Sequence, residues 1–453
     1  MTVVFKIWKL LNPSTLVFLI KEILLIEAKI FLSPTNPPGP KLTIKKFKFS
    51  SFNLLCLKKS KRVIIKFSLF KNLSLTKTKS ELFSFAISIK LPSVKSTEQK
   101  LEFMASFIKK TILITFLIIA NLSPANAQEY QNEKGIIGLM YHRFEENKYP
   151  STNVRIKEFN LQLEIIKQNN LEFISIDELR KILIENKNYE SKKVLITVDD
   201  AFKSFYENGW KELREKKIPF ILFLNTREVN TNNPNYMTWD QIREIHNSKI
   251  GTIGGHTFSH GYLVNKSENE IRDEIEKSHK DYQRELNFIP KYFSYPYGEY
   301  SSAFKKIVKE FNYELAFGQH SGVIDKSKDL LELPRYPVNE SYGKAERFLT
   351  LLNTKPFPFK SFKPENKFIK KSENPPKIEI EFYKEMTKLE KINCFANDGG
   401  EWSKKKITFI EKNWIRVNLD KKFKERTGRI NCSLLDNDKQ FRWLGFQFVI
   451  DGN

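Results

Sequence analysis

The stretch Val194-Leu-Ile-Thr-Val-Asp-Asp200 is an apolar, β-rich run that ends in two adjacent carboxylates, and a helical pattern begins directly after it. Because successive side chains of a strand point to opposite faces, Asp199 and Asp200 at the strand tip can serve different purposes, one binding a metal and the other transferring protons. A lone Asp-Asp pair is more commonly a helix N-cap with an exposed neighbour. The surrounding sequence decides between these two interpretations.

β-rich runs alternate with amphipathic helical segments on both sides of this stretch. Besides 194–198, the runs cover residues 135–141, 173–176, 220–224, 250–254, 292–295, 313–317 and 333–338. The helical segments cover residues 156–169, 177–187, 202–217, 238–248, 267–287, 300–311 and 343–352. This alternation predicts an α/β fold, a distorted (β/α) barrel over residues 128–355. A doubly wound open sheet is the alternative, although no Gly-x-Gly-x-x-Gly follows any run.

The composition changes after residue 355. A stretch rich in Pro and Lys predicts a linker over residues 356–376. Short β-rich runs separated by turn signals then predict a small all-β, sandwich-like accessory domain over residues 377–453. Cys394 and Cys432 could pair there if the compartment is oxidising. Three tryptophans of this region are interpreted as framework residues or, alternatively, as platforms for sugar rings: Trp402, Trp414 and Trp443.

Length and charge limit the expected number of domains and the kind of partner. A chain of 453 residues is expected to form two or three domains. Its formal net charge is +23, but residues 1–103 contain 19 Lys and Arg against 5 acidic residues and so carry +14 of it. The remaining +9 is ordinary for a protein that faces an anionic envelope, so the charge does not predict nucleic acid as a partner.

Residues 104–127 have the pattern of a secretory signal peptide. Met104 opens a short basic region, an apolar region follows at 111–122, and Ala125-Asn126-Ala127 is a small-x-small cleavage site. We expect translation to begin at Met104, with residues 1–103 as a basic extension that is mis-assigned or disordered. An uncleaved anchor is the alternative, but the apolar region is short for a bilayer span. The mature protein is therefore expected to be secreted or periplasmic, or associated with the cell envelope, without a stable transmembrane span.

Two histidines follow a later β-rich run. His256 and His260 stand four positions apart after the run 250–254. With one carboxylate they complete a His-His-Asp set, which suits zinc and leaves positions open for water and substrate. A lone His-x-x-x-His is a weak signal. Together with the acidic pair on an earlier strand tip and Ser294-Tyr-Pro-Tyr-Gly298 on a later one, it is much less easily explained by chance.

These motifs resemble those of the polysaccharide deacetylase family, also known as the NodB-homology group or carbohydrate esterase family 4. Thr197-Val-Asp-Asp200 resembles the family's Thr-Phe-Asp-Asp motif, and the segment 256–260 its His-Ser/Thr-x-x-His motif. Tyr295-Pro-Tyr297 resembles the third motif, Arg-x-Pro-Tyr/Phe. Gly138-Leu-Met-Tyr-His142 resembles the permuted subgroup that includes the biofilm poly-N-acetylglucosamine deacetylases.

The resemblance implies a role for most of the matched residues. Asp200, His256 and His260 would bind a divalent metal, with Zn²⁺ as the expected ion. Asp199 would be the general base that takes a proton from the attacking water. The backbone N–H of Tyr297 would help to hold the oxyanion.

The proton donor and the substrate contacts follow from the same resemblance. His142 would be the general acid that protonates the departing amine, and His320 is the alternative. Tyr295, Pro296 and His320 would lie on the substrate-binding side of the site. Amide hydrolysis needs a polarised carbonyl, an activated water and a proton for a poor leaving group, so this set of residue types suits that chemistry.

Two positions depart from the family's pattern. Ser294 stands where the third motif usually carries an Arg that orients the catalytic Asp. Arg335, on a later β-rich run, is expected either to take over that role or to form a structural salt bridge. Ala201 stands where the family commonly has Gly, which implies a minor backbone adjustment.

The sequence therefore predicts a metal-dependent hydrolase that removes N-acetyl groups from a polysaccharide or oligosaccharide containing N-acetylhexosamine. Its expected partner is an N-acetylated polysaccharide or a glycan of the cell envelope. Two alternatives are a catalytically weak carbohydrate-binding envelope protein and a metal amidase that acts on a non-sugar amide.

Overall fold

The computed structural model describes residues 134–452 and the backbone of four strands between residues 45 and 90. These strands form an antiparallel sheet in sequence order: β1 (Lys45–Phe49), β2 (Phe52–Lys59), β3 (Arg62–Phe70) and β4 (Leu82–Lys90). They belong to a compact unit, Met1–Ala127, and Gln128–Asn453 forms a second one. The predicted signal peptide lies outside the described residues, and the expectation for residues 1–103 stays a prediction. Among the described residues, no helix has the length and hydropathy needed to cross a bilayer.

The first part of the second unit is a curled parallel sheet. Two short strands, β6 (Arg143–Phe144) and β7 (Asn153–Val154), pair with each other beside it. The sheet has the order β13-β12-β11-β10-β9-β5-β14, and β8 pairs with β9. Its strands are β5 (Ile136–Tyr141), β8 (Glu172–Phe173), β9 (Lys193–Asp199), β10 (Phe220–Leu224), β11 (Gly251–Gly255), β12 (Tyr292–Ser294), β13 (Leu315–Phe317) and β14 (Tyr336–Pro337).

Helices connect these strands and cover the outer face of the sheet, which gives the distorted (β/α) barrel that the alternation predicts. They are α1 (Ile156–Gln168), α2 (Ile176–Leu183), α3 (Trp210–Glu215), α4 (Thr226–Asn230), α5 (Trp239–Asn247), α6 (Glu268–Leu286), α7 (Ser302–Glu310) and α8 (Ala345–Leu352). All seven positions of β9 are buried. This is the pattern of a parallel strand that is covered on both faces.

Helix capping explains where several helices begin. Ser267 and Glu270 form a capping box at the start of α6. Ser175 caps α2 by accepting a hydrogen bond from the backbone N–H of Glu178. The run predicted at 173–176 is therefore shorter than expected, because the chain has already turned into a helix at Ile176. The helix predicted over 202–217 contains a π-helical turn, Phe205–Gly209, before α3.

Nine strands form the second part of this unit. They are β15 (Lys355–Pro356), β16 (Phe359–Lys363), β17 (Phe368–Ile369), β18 (Ile378–Phe382), β19 (Asn393–Ala396), β20 (Ser403–Glu411), β21 (Trp414–Asn418), β22 (Thr427–Leu435) and β23 (Phe441–Ile450). The first three residues of β20 pair with β19 and residues 406–411 with β21, so the two layers share this strand. A common apolar core lies between the layers, as a sandwich-like fold requires.

The stretch predicted as a linker, 356–376, differs from that expectation. It contributes β16, which pairs with β18, and β17, which pairs with β23. The prolines that suggested a linker are compatible with this arrangement because Pro356 lies in β15, an edge strand, where Pro is tolerated, and the others lie outside the strands. The all-β part therefore begins directly after α8.

Cys394 and Cys432 face each other on β19 and β22 and form a disulfide, the pairing that the sequence left open. Both residues are buried in the core of the sandwich. The bond closes a loop with a sequence separation of 38 residues. It restricts the unfolded chain and so stabilises this part of the molecule.

Replacing both cysteines, Cys394→Ala with Cys432→Ala, should lower the free energy of unfolding by about 2–4 kcal/mol. Denaturant unfolding with and without a reductant measures this. The reductant should destabilise the native protein to a similar extent and leave the double variant unchanged. A native protein whose stability does not respond to the reductant would contradict the expectation.

Candidate metal centre and active site

Asp199 and Arg335 form an ion pair in the barrel interior, where neither side chain is accessible to solvent. Arg335 Nη1 donates to Asp199 Oδ1 at 2.7 Å, and Nη2 donates to Oδ2 at 2.8 Å. Asp199 is the last residue of β9, and Arg335 directly precedes β14, on the far side of β5. Two parallel N–H···O bonds fix both the position and the orientation of the carboxylate.

All five N–H groups of the Arg335 guanidinium have an acceptor. Besides the two bonds to Asp199, Nε donates to the Gly318 carbonyl at 3.0 Å, Nη1 to Thr197 Oγ1 at 3.0 Å and Nη2 to Ser294 Oγ at 2.9 Å. A buried cation is tolerated only when its hydrogen-bonding groups are satisfied. This network therefore holds the guanidinium in one place.

The surroundings of Asp199 favour its ionised form. Burial by itself raises the pKa of this carboxyl, but the charge and hydrogen bonds of Arg335, together with His256 and His142, lower it below the usual range. The Ser294 hydroxyl, which accepts from Arg335, donates to Asp199 Oδ2 at 3.2 Å. Ser294 thus contacts the carboxylate from the position where the resembling family has Arg, while Arg335 supplies the guanidinium from another strand.

Asp200, His256 and His260 come together on the other side of the strand tip. Asp200 Oδ1 lies 3.3 Å from His256 Nε2 and 3.2 Å from His260 Nε2. The ligand atoms of the three residues all lie within 4.8 Å of one another. Asp200 has a φ of 76°, in the left-handed region, so the chain leaves the strand geometry of β9 at this residue.

The donor set of these three residues fits a divalent cation. His256 Nδ1 lies 2.6 Å from the Ser294 carbonyl oxygen, which can only accept, so Nδ1 carries the proton and Nε2 presents a lone pair. His256 Nε2 and Asp200 Oδ1 are both buried and have no hydrogen-bond partner among the described residues. Buried polar atoms without partners are rare, and a cation bound between them would satisfy both.

His142 follows β5 and faces the carboxylate of Asp199. Its Nε2 atom lies 4.0 Å from Asp199 Oδ2. Its side chain retains 12% of its accessible surface, so it borders the open side of the site. The structure therefore brings together the base, the metal ligands and the proton donor that the resemblance implies, together with Arg335.

The Tyr297 ring borders the candidate metal ligands, and its residue lies in a strained turn. Its ring centroid is 4.4 Å from that of His260. It also stacks on the exposed ring of Tyr262, at 4.2 Å and 14° between planes. Its φ is 58°, which is unusual for a residue other than glycine.

Three residues predicted on the substrate side are placed differently. The Tyr295 side chain is fully buried among apolar residues, so its prediction as a substrate-binding side chain is wrong. Pro296 is also buried, and its place in the site is limited to shaping the turn before Tyr297. His320 is buried and its carbonyl accepts from the Arg335 backbone N–H. Burial together with the charges of Lys367, Lys328 and Arg335 lowers its pKa to about 3.

Sequence reasoning missed several residues around Tyr297. Tyr262 lies two positions after the His-x-x-x-His segment, outside any motif. Two more lie in the all-β part: Arg426 contacts Glu299, and Gln447 contacts the Tyr297 carbonyl. Since these contacts span more than a hundred residues of sequence, no local pattern could have indicated them.

The family model described as Polysaccharide deacetylase matches residues 186–316. The poly-beta-1,6-N-acetyl-D-glucosamine N-deacetylase of Staphylococcus aureus (strain MRSA252) is 21% identical over 246 residues, which cover 49% of this chain and 84% of that protein. YxkH of Bacillus subtilis (strain 168) is 23% identical over 201 residues, 44% of this chain and 70% of YxkH.

Among solved structures, the Streptococcus pyogenes deacetylase PplD in complex with acetate matches with a TM-score of 0.45 and 23% identity. The match covers 49% of this chain and 99% of PplD. The part matched by the family model contains Asp199, Asp200, His256, His260 and Tyr297. The chain therefore contains a polysaccharide deacetylase domain of the NodB-homology, carbohydrate esterase family 4 type.

Proposed function

We propose that the barrel, residues 128–355, is a metal-dependent hydrolase that removes N-acetyl groups from a polysaccharide or oligosaccharide containing N-acetylhexosamine. The observation that carries the proposal is the contrast between two adjacent carboxylates. Asp199 contacts a guanidinium, and Asp200 contacts two imidazoles. A carbohydrate-binding module has no need for a base next to a cation site. A secreted or periplasmic location would bring the site to a glycan of the cell envelope.

The metal would be held by Asp200, His256 and His260. A set of two imidazoles and one carboxylate suits Zn²⁺ and leaves room for further ligands. When bound, such an ion polarises a carbonyl oxygen and lowers the pKa of water.

Asp199 would act as the general base that accepts a proton from the attacking water. Its lowered pKa keeps it ionised throughout the neutral range. The two hydrogen bonds from Arg335 keep the carboxylate from rotating away, so Arg335 is a positioning residue in this scheme.

The departing amine needs a proton, and His142 would supply it. His142 Nε2 lies 4.0 Å from Asp199 Oδ2 and its side chain borders the open side of the site, so the acid and the base could reach the same bound amide. His320 fits this role less well, because its pKa of about 3 leaves it without the imidazolium form at neutral pH. The backbone N–H of Tyr297 would stabilise the oxyanion that forms at the carbonyl.

Purified protein should release acetate from at least one member of a panel of chitin oligomers, poly-N-acetylglucosamine and peptidoglycan. A chelator should abolish the release and added Zn²⁺ should restore it, because the cation site is part of the machinery. An acetate assay with metal analysis measures both. Release that a chelator leaves untouched would contradict the metal-dependent mechanism, and cleavage of non-sugar amides alone would favour a different amidase.

The two carboxylates should respond differently to substitution. Asp199→Asn should lower kcat by about 10²–10⁴-fold while leaving the metal content near normal, because it removes a base and not a ligand. Asp200→Asn, as the matched variant, should lose the metal as well as the activity. Kinetics and metal analysis of both proteins test this, and loss of metal from Asp199→Asn alone would show that the two roles are reversed.

His142→Ala should lower kcat by about 10²–10⁴-fold without loss of metal or of thermal stability, as expected for removal of a general acid. His320→Ala serves as the comparison, since both variants remove an imidazole at the same end of the barrel. If His320→Ala instead causes the loss of kcat and His142→Ala does not, the assignment of the proton donor is wrong.

A further inference from the structure

The outer face of the C-terminal sheet lies against the turn that contains Tyr297. Gln447, on β23, is 2% exposed, and its Nε2 donates to the Tyr297 carbonyl at 2.9 Å. Arg429 faces Gln447 across the β22–β23 pair, and its Nε donates to Gln447 Oε1 at 3.2 Å. Because Arg429 occupies the oxygen of the Gln447 side-chain amide, the amide nitrogen is directed at Tyr297. Gln447 on the sheet thereby holds the carbonyl oxygen of Tyr297 in the turn.

A second contact fixes the other end of the same turn. Arg426, one residue before β22, makes two hydrogen bonds to the Glu299 carboxylate, at 3.0 Å from Nε and 2.7 Å from Nη2. The Glu299 side chain is 3% exposed and that of Arg426 28%, so the carboxylate is buried while the guanidinium borders solvent. The Arg426 guanidinium also lies 4.3 Å from the ring centroid of Tyr262, the ring that stacks on Tyr297.

The turn needs such support because its backbone conformation is unfavourable. Tyr297 has a φ of 58° and Gly298 a φ of 68°. The left-handed conformation costs a residue with a side chain about 1–2 kcal/mol. A side chain at Gly298 would also collide with the backbone of the neighbouring loop, since a Cβ there would lie 2.4 Å from the Gln319 nitrogen. Residues in such conformations persist only where surrounding contacts determine them.

We propose that the C-terminal sheet is part of the active site, in which Gln447 and Arg426 are positioning residues that hold the 297–299 turn so that the Tyr297 N–H faces the oxyanion. The inference rests on the proposed deacetylase function. It gives the all-β part a role in the reaction itself, which differs from that of an independent module that only tethers the enzyme to a glycan. The two roles affect different kinetic constants.

A positioning role predicts an effect on the transition state. Removing one oxyanion donor lowers kcat by about 10²–10³-fold in enzymes where this was measured. Loosening the turn moves the N–H without removing it, so a smaller loss, of about tenfold, is expected. KM should change little, because the Tyr297 N–H would bind the substrate carbonyl less strongly in the ground state than it binds the oxyanion in the transition state.

The test uses the full chain, loaded with metal, with Gln447→Met and Arg426→Met. Arg416→Met is the matched control, because Arg416 makes two hydrogen bonds of similar length to Glu379 within the same all-β part, away from the turn. Each protein is assayed on a short N-acetylglucosamine oligomer and on the polymer, with metal content and thermal unfolding measured in parallel. Arg426→Lys, which keeps the charge, should recover part of the loss.

The proposal expects kcat to fall about tenfold on both substrates for Gln447→Met and Arg426→Met, with KM within about twofold and the metal retained. Arg416→Met should match the native protein. An unchanged kcat with a raised KM on the polymer alone would overturn the proposal in favour of a tethering surface. An equal loss in Arg416→Met would overturn it in favour of a general structural effect.

Two further outcomes separate this inference from the function on which it rests. If Arg426→Met does not fold, Gln447→Met decides, because it removes one hydrogen bond and no charge. If the native protein releases no acetate from any substrate, the proposed function fails and the inference fails with it. A native enzyme that is active, beside a Gln447→Met variant with the same kcat, overturns only the inference.

Discussion

The contact on which the site depends is the buried ion pair between Asp199 and Arg335. Transfer of a carboxylate and a guanidinium out of water costs several kcal/mol per ion. That cost is offset here because the pair is bidentate and every remaining N–H of the guanidinium has an acceptor. The acceptors lie on β9, at the end of β12 and directly after β13. One side chain thus sets the relative positions of several strand ends.

The same ion pair explains why two adjacent aspartates, Asp199 and Asp200, would take different chemical roles. Asp199 has a permanent cation and a hydroxyl donor, so its charge is already compensated within the protein. Asp200 has a left-handed φ and contacts two imidazoles. The His256 ring is held by the Ser294 carbonyl, so its Nε2 lone pair faces the Asp200 carboxylate. Its charge is therefore available to an additional cation. Asp199 is the last residue of β9 and Asp200 the first residue beyond it, so the difference in partners coincides with the end of the strand.

Most of the barrel could be predicted because its strands are continuous apolar runs, and 220–224 agrees with β10 at both ends. Motifs also indicated which residues meet at the strand tips. They did not give side-chain directions, and for that reason Tyr295 was expected in the site although it packs in the core. They also did not indicate Gln447 and Arg426, which reach the site from β strands far along the chain. The sequence did not decide whether Arg335 replaces the Arg that is missing at Ser294. Only the fold brings β12 and the residue before β14 to the same carboxylate, that of Asp199.

Arg335 also has a mechanical consequence for the barrel. The strands β13 and β14 are the two edges of the curled sheet. The Arg335 side chain donates to the Gly318 carbonyl beyond one edge, and its own backbone leads into the other. The guanidinium therefore connects the two edges of the sheet, beside the backbone hydrogen bonds that Leu333 makes to Ala316 and Gly318. The same guanidinium holds Asp199, so a substitution that moves Arg335 would alter both the contact between the sheet edges and the surroundings of the base.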